Sequence, residues 1–295
     1  DQLALHVECL SAAGTWEPFA RTPEIGAEPQ PCGGGGPQLA GPAGTGMVVV
    51  HRRCAGDDAA LVVDRATDTT WEPLGGPLND DGSGGLLGLY TQFGAALTSF
   101  QGELYATWTG WPITPGTFET SLNRYVAASW QREVVVSAAD VLYRHPTFFA
   151  TASALYVHYG EPAPTVWEVT GGTITSKGAV ALAGGEWTLY SSLASWNGQL
   201  VLAYSSAPAG ASRPESTFVT KIAFHDGATG WTVDPNPIED LPGRDGMVPL
   251  LFTMGSDLYI MYADYTTDGV SDVVGEPFHF RVKRWTGAAW QAVGS

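Results

Sequence analysis

Apolar residues in this chain gather in short runs, and five of those runs share one form. They are Met47-Val-Val-Val-His51, Leu104-Tyr-Ala-Thr-Trp108, Leu155-Tyr-Val-His-Tyr159, Leu200-Val-Leu-Ala-Tyr204 and Leu258-Tyr-Ile-Met-Tyr262. Each opens on an apolar residue and closes on an aromatic or a histidine, and successive starts lie 57, 51, 45 and 58 residues apart. Recurrence at this spacing marks a repeat architecture. Most runs follow a small-residue turn, Thr45-Gly46, Gln101-Gly102, Asn197-Gly198 or Gly255-Ser256, and such turns close hairpins. Another strand-like run precedes the turn (Ala95 to Phe100, Pro146 to Ala150, Ser192 to Trp196, Val248 to Met254), so each unit opens with a hairpin of strands A and B.

A third strand, C, follows a loop of variable length: Ala60 to Asp64, Leu122 to Ala128, Thr165 to Val169, Phe218 to Phe224 and Phe278 to Arg284. In the last of these Phe278, Phe280 and Val282 alternate with polar residues, which predicts that they face inward and the charges outward. A fourth strand, D, opens on Trp71, Trp130, Trp231 or Trp290; only the Leu155 unit, near Thr173 to Ser176, lacks this tryptophan. Helical periodicity is nowhere sustained. Four antiparallel strands per unit predict an all-β fold, a β-propeller. At the amino end Leu3 to Cys9 and Gly14-Thr15-Trp16 match a C and a D strand with no A–B hairpin before them. The expectation is a single propeller domain over 1–295, with 1–36 a partial first blade and 37–295 five complete ones. That favours six blades, with five blades and an appended ribbon as the alternative.

Composition narrows the function classes. Charged residues are 15% of the 295 positions and hydrophobic ones 44%, with 37 Gly and 20 Pro, which excludes long charged helices and a disordered chain. Fourteen basic against thirty acidic residues give a net charge of −16, which repels phosphate backbones and argues against nucleic-acid binding. No apolar run reaches the length of a transmembrane segment. Low lysine content and abundant Thr, Ser, Gly and Trp predict an exported protein, and the sequence is read as a mature or trimmed chain from which an export signal could have been removed. Cys9, Cys32 and Cys54 lack metal or redox spacing. Cys32, in a D–A connection, and Cys54, ending a B strand, are the expected disulfide pair, with Cys9 a free buried thiol; three reduced thiols in a cytosol are the alternative.

Two segments, Trp285-Thr-Gly-Ala-Ala-Trp290-Gln-Ala-Val-Gly and Trp71-Glu-Pro-Leu-Gly-Gly-Pro-Leu-Asn79, resemble the W-x-G-x-x-W…LGG-x-L repeats of bacterial extracellular propellers, some of them lectins. The resemblance spans most of the chain as a spaced pattern of framework positions. It implies the propeller fold and carries over no ligand-binding residue. The turns are distantly similar to sialidase Asp-boxes, but the full Ser-x-Asp-x-Gly-x-x-Trp pattern is absent. Trp16, Trp71, Trp130, Trp231 and Trp290 are read as blade-packing residues.

In a four-stranded meander the B–C loops and D–A connections emerge on one face, and long connections on a rigid scaffold carry function. Three groups fall there. Trp108, Trp111, Tyr143, Trp187 and Tyr190 offer rings that stack on sugar faces beside polar groups. Asp264, Asp268, Asp272 and Glu276 recur every four residues, a set of hard oxygen donors for Ca²⁺ or, alternatively, a solvated acidic loop. Asp140, Glu186 and Asp245 each precede an inner strand and would supply the acid and base of a glycoside hydrolase if they converge, or cap turns if they do not. His51 and His158, in B strands, form a candidate metal pair or a pair of scaffold histidines. Neither a phosphate loop nor a G-x-S-x-G elbow is present. The first functional expectation is a non-catalytic binding module for carbohydrate. The second is an accessory subunit bound to another protein, and the third a glycoside hydrolase.

Overall fold

The computed structural model describes residues 8–10, 15–18, 38–40, 46–55, 58–67, 71–83, 85–89, 95–111, 117–139, 146–160, 163–208, 218–228, 230–236, 238, 244–266 and 279–294. Every regular element among them is a β-strand. The chain divides into two compact units, residues 1–142 with 146–148 and residues 143–145 with 149–295.

A two-stranded ribbon comes first, β1 (Glu8–Leu10) against β2 (Trp16–Pro18). The first blade is β3 (Gln38–Ala40), β4 (Val48–Ala55), β5 (Asp58–Ala66) and β6 (Trp71–Pro73). The second has a divided inner strand: β7 (Gly88–Leu89) and β8 (Ala96–Phe100) both pair β9 (Glu103–Trp111), followed by β10 (Thr117–Val126) and β11 (Ser129–Ala139). The third is β12 (Thr147–Ala150), β13 (Leu155–Tyr159), β14 (Thr165–Thr170) and β15 (Thr173–Ala179). The fourth is β16 (Trp187–Trp196), β17 (Gln199–Ala207), β18 (Val219–His225) and β19 (Trp231–Val233). The fifth is β20 (Arg244–Met254), β21 (Asp257–Thr266), β22 (His279–Trp285) and β23 (Trp290–Ala292). Within each blade the strands pair in chain order and antiparallel.

The fold is therefore the expected β-propeller of four-stranded antiparallel blades. The favoured count of six is corrected to five. Among the described residues β1 and β2 pair only with each other, so this C–D-like hairpin is not part of a four-stranded sheet there.

The recurring runs are the B strands, and their lack of alternation has a packing cause. All five residues of β13 are buried, as are Val48, Val49 and Val50 in β4 and all but the first residue of β17. The second strand of a blade is covered on both faces and so takes mostly apolar residues without alternation. The A–B hairpin before β17 turns on Asn197 and Gly198 with φ of 50° and 77°, the left-handed pair that a two-residue type I′ turn requires.

In three of the five runs the last residue makes the same diagonal contact. His51 stands opposite Val62 and its Nε2 lies 2.7 Å from Asp64 Oδ2, two residues further along β5. Trp108 stands opposite Ser121 and donates its indole N–H to Asn123 Oδ1 at 2.9 Å, the same offset on β10. Tyr159 stands opposite Thr165 and packs on Trp167, ring centroids 5.0 Å apart. In the fifth blade the corresponding C-strand residue is Lys283, since Tyr262 stands opposite Arg281.

Two of these C-strand partners also hold the connection that enters their own blade. Asn123 Nδ2 donates to the Leu78 carbonyl at 3.0 Å, and Lys283 Nζ donates to the Ile238 carbonyl. Leu78 and Ile238 both lie seven residues past the D-strand tryptophan, Trp71 or Trp231, and both are buried. The inward position of Lys283 reverses the expected alternation of this strand: Phe280 is 67% exposed, whereas Lys283 and Trp285 are buried. The Ile238 carbonyl compensates the ammonium, and Trp285 gains Phe224 and Trp290 at 5.6 and 5.2 Å, a larger aromatic burial than Phe280 offers.

Two of the D-strand tryptophans look back at the preceding blade. Trp130 donates its indole N–H to the Leu74 carbonyl at 2.6 Å and Trp231 to the Lys177 carbonyl at 3.0 Å. Half-buried indoles of this kind fasten one blade to the next.

Candidate functional site

The predicted residues on the fourth blade lie at the end where β16 begins, the rings on one flank of the sheet and the carboxylate on the other. The ladder between β16 and β17 shifts register between Thr188 and Ser191. One extra residue in β16 flips the side-chain parity, as a β-bulge does. Trp187, Leu189 and Tyr190 therefore all join the Ala207 and Phe218 cluster on one flank of the sheet, although residues 187 and 190 of a regular strand would point apart. Trp187 meets Phe218 edge-on at 5.0 Å. Both Trp187 and Tyr190 are only half-buried.

Glu186, one residue before the strand, belongs to the other flank. Lys221 Nζ on β18 lies 2.6 Å from Glu186 Oε1, with the two side chains 28% and 18% exposed. Lys221 stands opposite Tyr204 on β17. Burial and then the Glu186 charge push the Tyr204 phenol well above its ordinary range, so it remains a neutral donor. Further along the same flank His158 Nδ1 lies 3.0 Å from Ser191 Oγ, and Thr188 Oγ1 donates to the Gly160 carbonyl. Glycine is required at 160, because a Cβ there would overlap the Leu189 carbonyl inside the bulge. Close approach of β13 to β16 thus positions the bulge, and the bulge positions the rings.

Burial pushes the His158 imidazole down to about 3 from 6.5. Between those pH values the unfolded chain binds a proton that the folded chain does not, so stability falls as pH drops through the window, by up to about 1.4 kcal/mol per unit for one group. His158→Gln should flatten the dependence of Tm on pH between 6.5 and 4 in thermal melts; parallel curves for the two proteins would contradict a buried neutral imidazole.

Other expectations fare differently. Trp108 is corrected from a loop residue to a core residue: it lies within β9, is 2% exposed and spends its N–H on Asn123, which leaves no face for a ligand. Trp111 ends β9, Asp245 lies near the start of β20 and Asp264 near the end of β21; their side chains lie outside the described residues. Asp140, Tyr143, Asp268, Asp272, Glu276 and Cys32 lie outside them too, as does the side chain of Cys54, so the Ca²⁺ set and the Cys32–Cys54 pairing are not addressed. Among the described residues no three His, Cys, Asp or Glu side chains are grouped to hold a metal. His51 and His158 each have a different partner, Asp64 and Ser191. A cavity of about 300 Å³ on the outer strands of the fifth blade, lined by Tyr259, Arg284, Gln291 and Val293, includes none of the predicted residues. Among the described residues no helix is long and apolar enough to cross a membrane.

Sequence reasoning missed Lys221. It sits in an ordinary-looking C strand, and its partner Glu186 is 35 residues away, with no local signal linking the two.

No protein-family profile matches the chain, and no curated protein does. Solved structures do. A Dyadobacter fermentans protein of unknown function aligns over 87% of this chain and 81% of its own at 14% identity, with a TM-score of 0.53. A Penicillium chrysogenum α-L-arabinanase complexed with arabinobiose aligns over 80% of this chain and 78% of its own at 10% identity, with a TM-score of 0.50. At these identities the likeness is one of fold, and it places the chain beside β-propellers without assigning it to a family.

Proposed function

We propose that this chain is an exported carbohydrate-binding propeller whose ligand sits at the end of the fourth blade, where β16 begins. The observation that carries this reading is the gathering of Trp187 and Tyr190 on one flank of the sheet at that end of the blade, with the Glu186–Lys221 pair on the opposite flank of the same end. Half-buried rings supply apolar contact to a sugar face, and the ion pair on the other flank of the same blade end supplies donors and acceptors. The lectin-like framework repeats and the low lysine content of the chain support the same reading.

A glycan array followed by calorimetric titration tests it. Trp187→Ala should weaken the best ligand about 30-fold, the loss typical of an aromatic anchor. Binding to no glycan, together with a stable complex with another polypeptide, would assign the site to a protein partner instead. The arabinanase likeness motivates a second reading, glycosidic cleavage by Glu186 with Asp245 or Asp140. Under that reading the protein releases reducing sugar from arabinan and Asp245→Asn abolishes the release.

A further inference from the structure

Resting on that sugar-binding reading, we infer that the Glu186–Lys221 pair determines specificity by recognising a vicinal diol, two adjacent free hydroxyls on one sugar ring. The two groups reach each other from different elements. Lys221 rises from the middle of β18, opposite Tyr204, and Glu186 comes from the segment that enters β16. Their 2.6 Å contact joins one ammonium proton to one carboxylate oxygen. An ammonium has three protons and a carboxylate four lone-pair sites. The pair therefore has both a donor and an acceptor left over, side by side, and each side chain retains some exposure.

A single hydroxyl can use either the donor or the acceptor. Two adjacent hydroxyls use both: one donates to Glu186 Oε2 while its neighbour accepts from Lys221 Nζ, each bond strengthened by the charge. The charges cancel within the pair, so an acidic sugar gains nothing from it, and selection falls on the placement of hydroxyls. The buried neutral phenol of Tyr204 opposite Lys221 makes this flank poor in water, which raises the cost of leaving either group unmatched. Trp187 and Tyr190 lie on the opposite flank of the same sheet, so a saccharide that reaches both the rings and the pair crosses the end of the blade.

The test is calorimetric titration of the full chain with its best array ligand and with analogues of that ligand in which one of two adjacent hydroxyls is replaced by hydrogen or O-methyl. The wild-type protein should lose about tenfold or more in affinity for the matching analogues. Glu186→Gln and Lys221→Met should each weaken the parent sugar to a similar extent and no longer distinguish it from its deoxy analogue. Lys221→Arg, which keeps the charge and the donors, should recover part of the discrimination. Lys177→Met serves as the control: it breaks an equally short ion pair, Lys177 Nζ to Glu168 Oε2 at 2.5 Å on the outer strands of the third blade, and should leave affinity unchanged. Equal binding of parent and deoxy analogues by the wild type would overturn the diol inference while leaving sugar binding in place. Absence of glycan binding by the wild type would overturn both. If a variant fails to fold, the analogue series on the wild-type protein still decides.

Discussion

Gly160→Ala should lower the melting temperature by about 6–12 °C, the shift that a loss of about 3 kcal/mol produces in a protein of this size. A methyl group at 160 has nowhere to go: it would overlap the Leu189 carbonyl and come within 3.1 Å of the Tyr190 carbonyl carbon. The obstacle is backbone, so no rotamer change relieves it. Either β13 or the β16 bulge must move, and moving the bulge breaks the Thr188 hydroxyl bond to the Gly160 carbonyl. The variant should therefore lose sugar affinity beyond what its lower stability explains, because Trp187 and Tyr190 take their orientation from that bulge. Thermal melts and titration at a temperature well below the variant's Tm separate the two effects. A destabilisation under about 1 kcal/mol would show that the contact between these strands is looser than described.

Asn79→Ala should cost about 3–5 kcal/mol by urea denaturation, an effect in the range reserved for breaking a buried polar network. Asn79 is completely buried in the connection between the first two blades. Its Oδ1 accepts the Leu61 N–H at 2.8 Å, and its Nδ2 donates to the Ala59 and Leu87 carbonyls, both at 2.9 Å. Truncation leaves three backbone groups without partners in a dry environment. Asn236, by contrast, is exposed and bonds Asp234 within a turn; Asn236→Ala should change stability by less than about 0.5 kcal/mol. Similar costs for the two substitutions would contradict the bracing role of Asn79.

Much of the fold could be read in the sequence because blade strands differ in how they are covered. A strand buried on both faces, such as Leu155 to Tyr159, has no exposed position, and its recurrence counts the blades. The D-strand tryptophans were equally legible, and for Trp130 and Trp231 the reason is that an indole that must pack on the preceding blade and also place its N–H tolerates few replacements. Features that depend on a partner distant in sequence were not. Lys283 reads as an exposed charge until the Ile238 carbonyl, 45 residues away, is known. Trp108 reads as a loop aromatic until Asn123 is placed beside it. The amino-terminal hairpin has the pattern of half a blade, and only the pairing of β1 with β2 alone, among the described strands, distinguishes a ribbon.

The same distinction holds at the candidate site. Glu186, Trp187 and Tyr190 were identified by residue type and by position ahead of an inner strand, but their arrangement was not. Alternation would have sent the two rings to opposite flanks; the register shift between Thr188 and Ser191 puts them together. Bulges leave little trace in sequence, since here the extra position is filled by Leu189 or Tyr190, both good strand residues. Lys221 completes the polar flank through a contact that no local pattern encodes.

A crystal structure of the protein with its best oligosaccharide bound is the most direct measurement. It should show the saccharide crossing the end of the blade where β16 begins, with a sugar ring against Trp187 or Tyr190 and, on the other flank of the sheet, adjacent hydroxyls on Glu186 and Lys221. Sugar density on a different blade, with Glu186 and Lys221 still paired only to each other, would contradict the placement of the site.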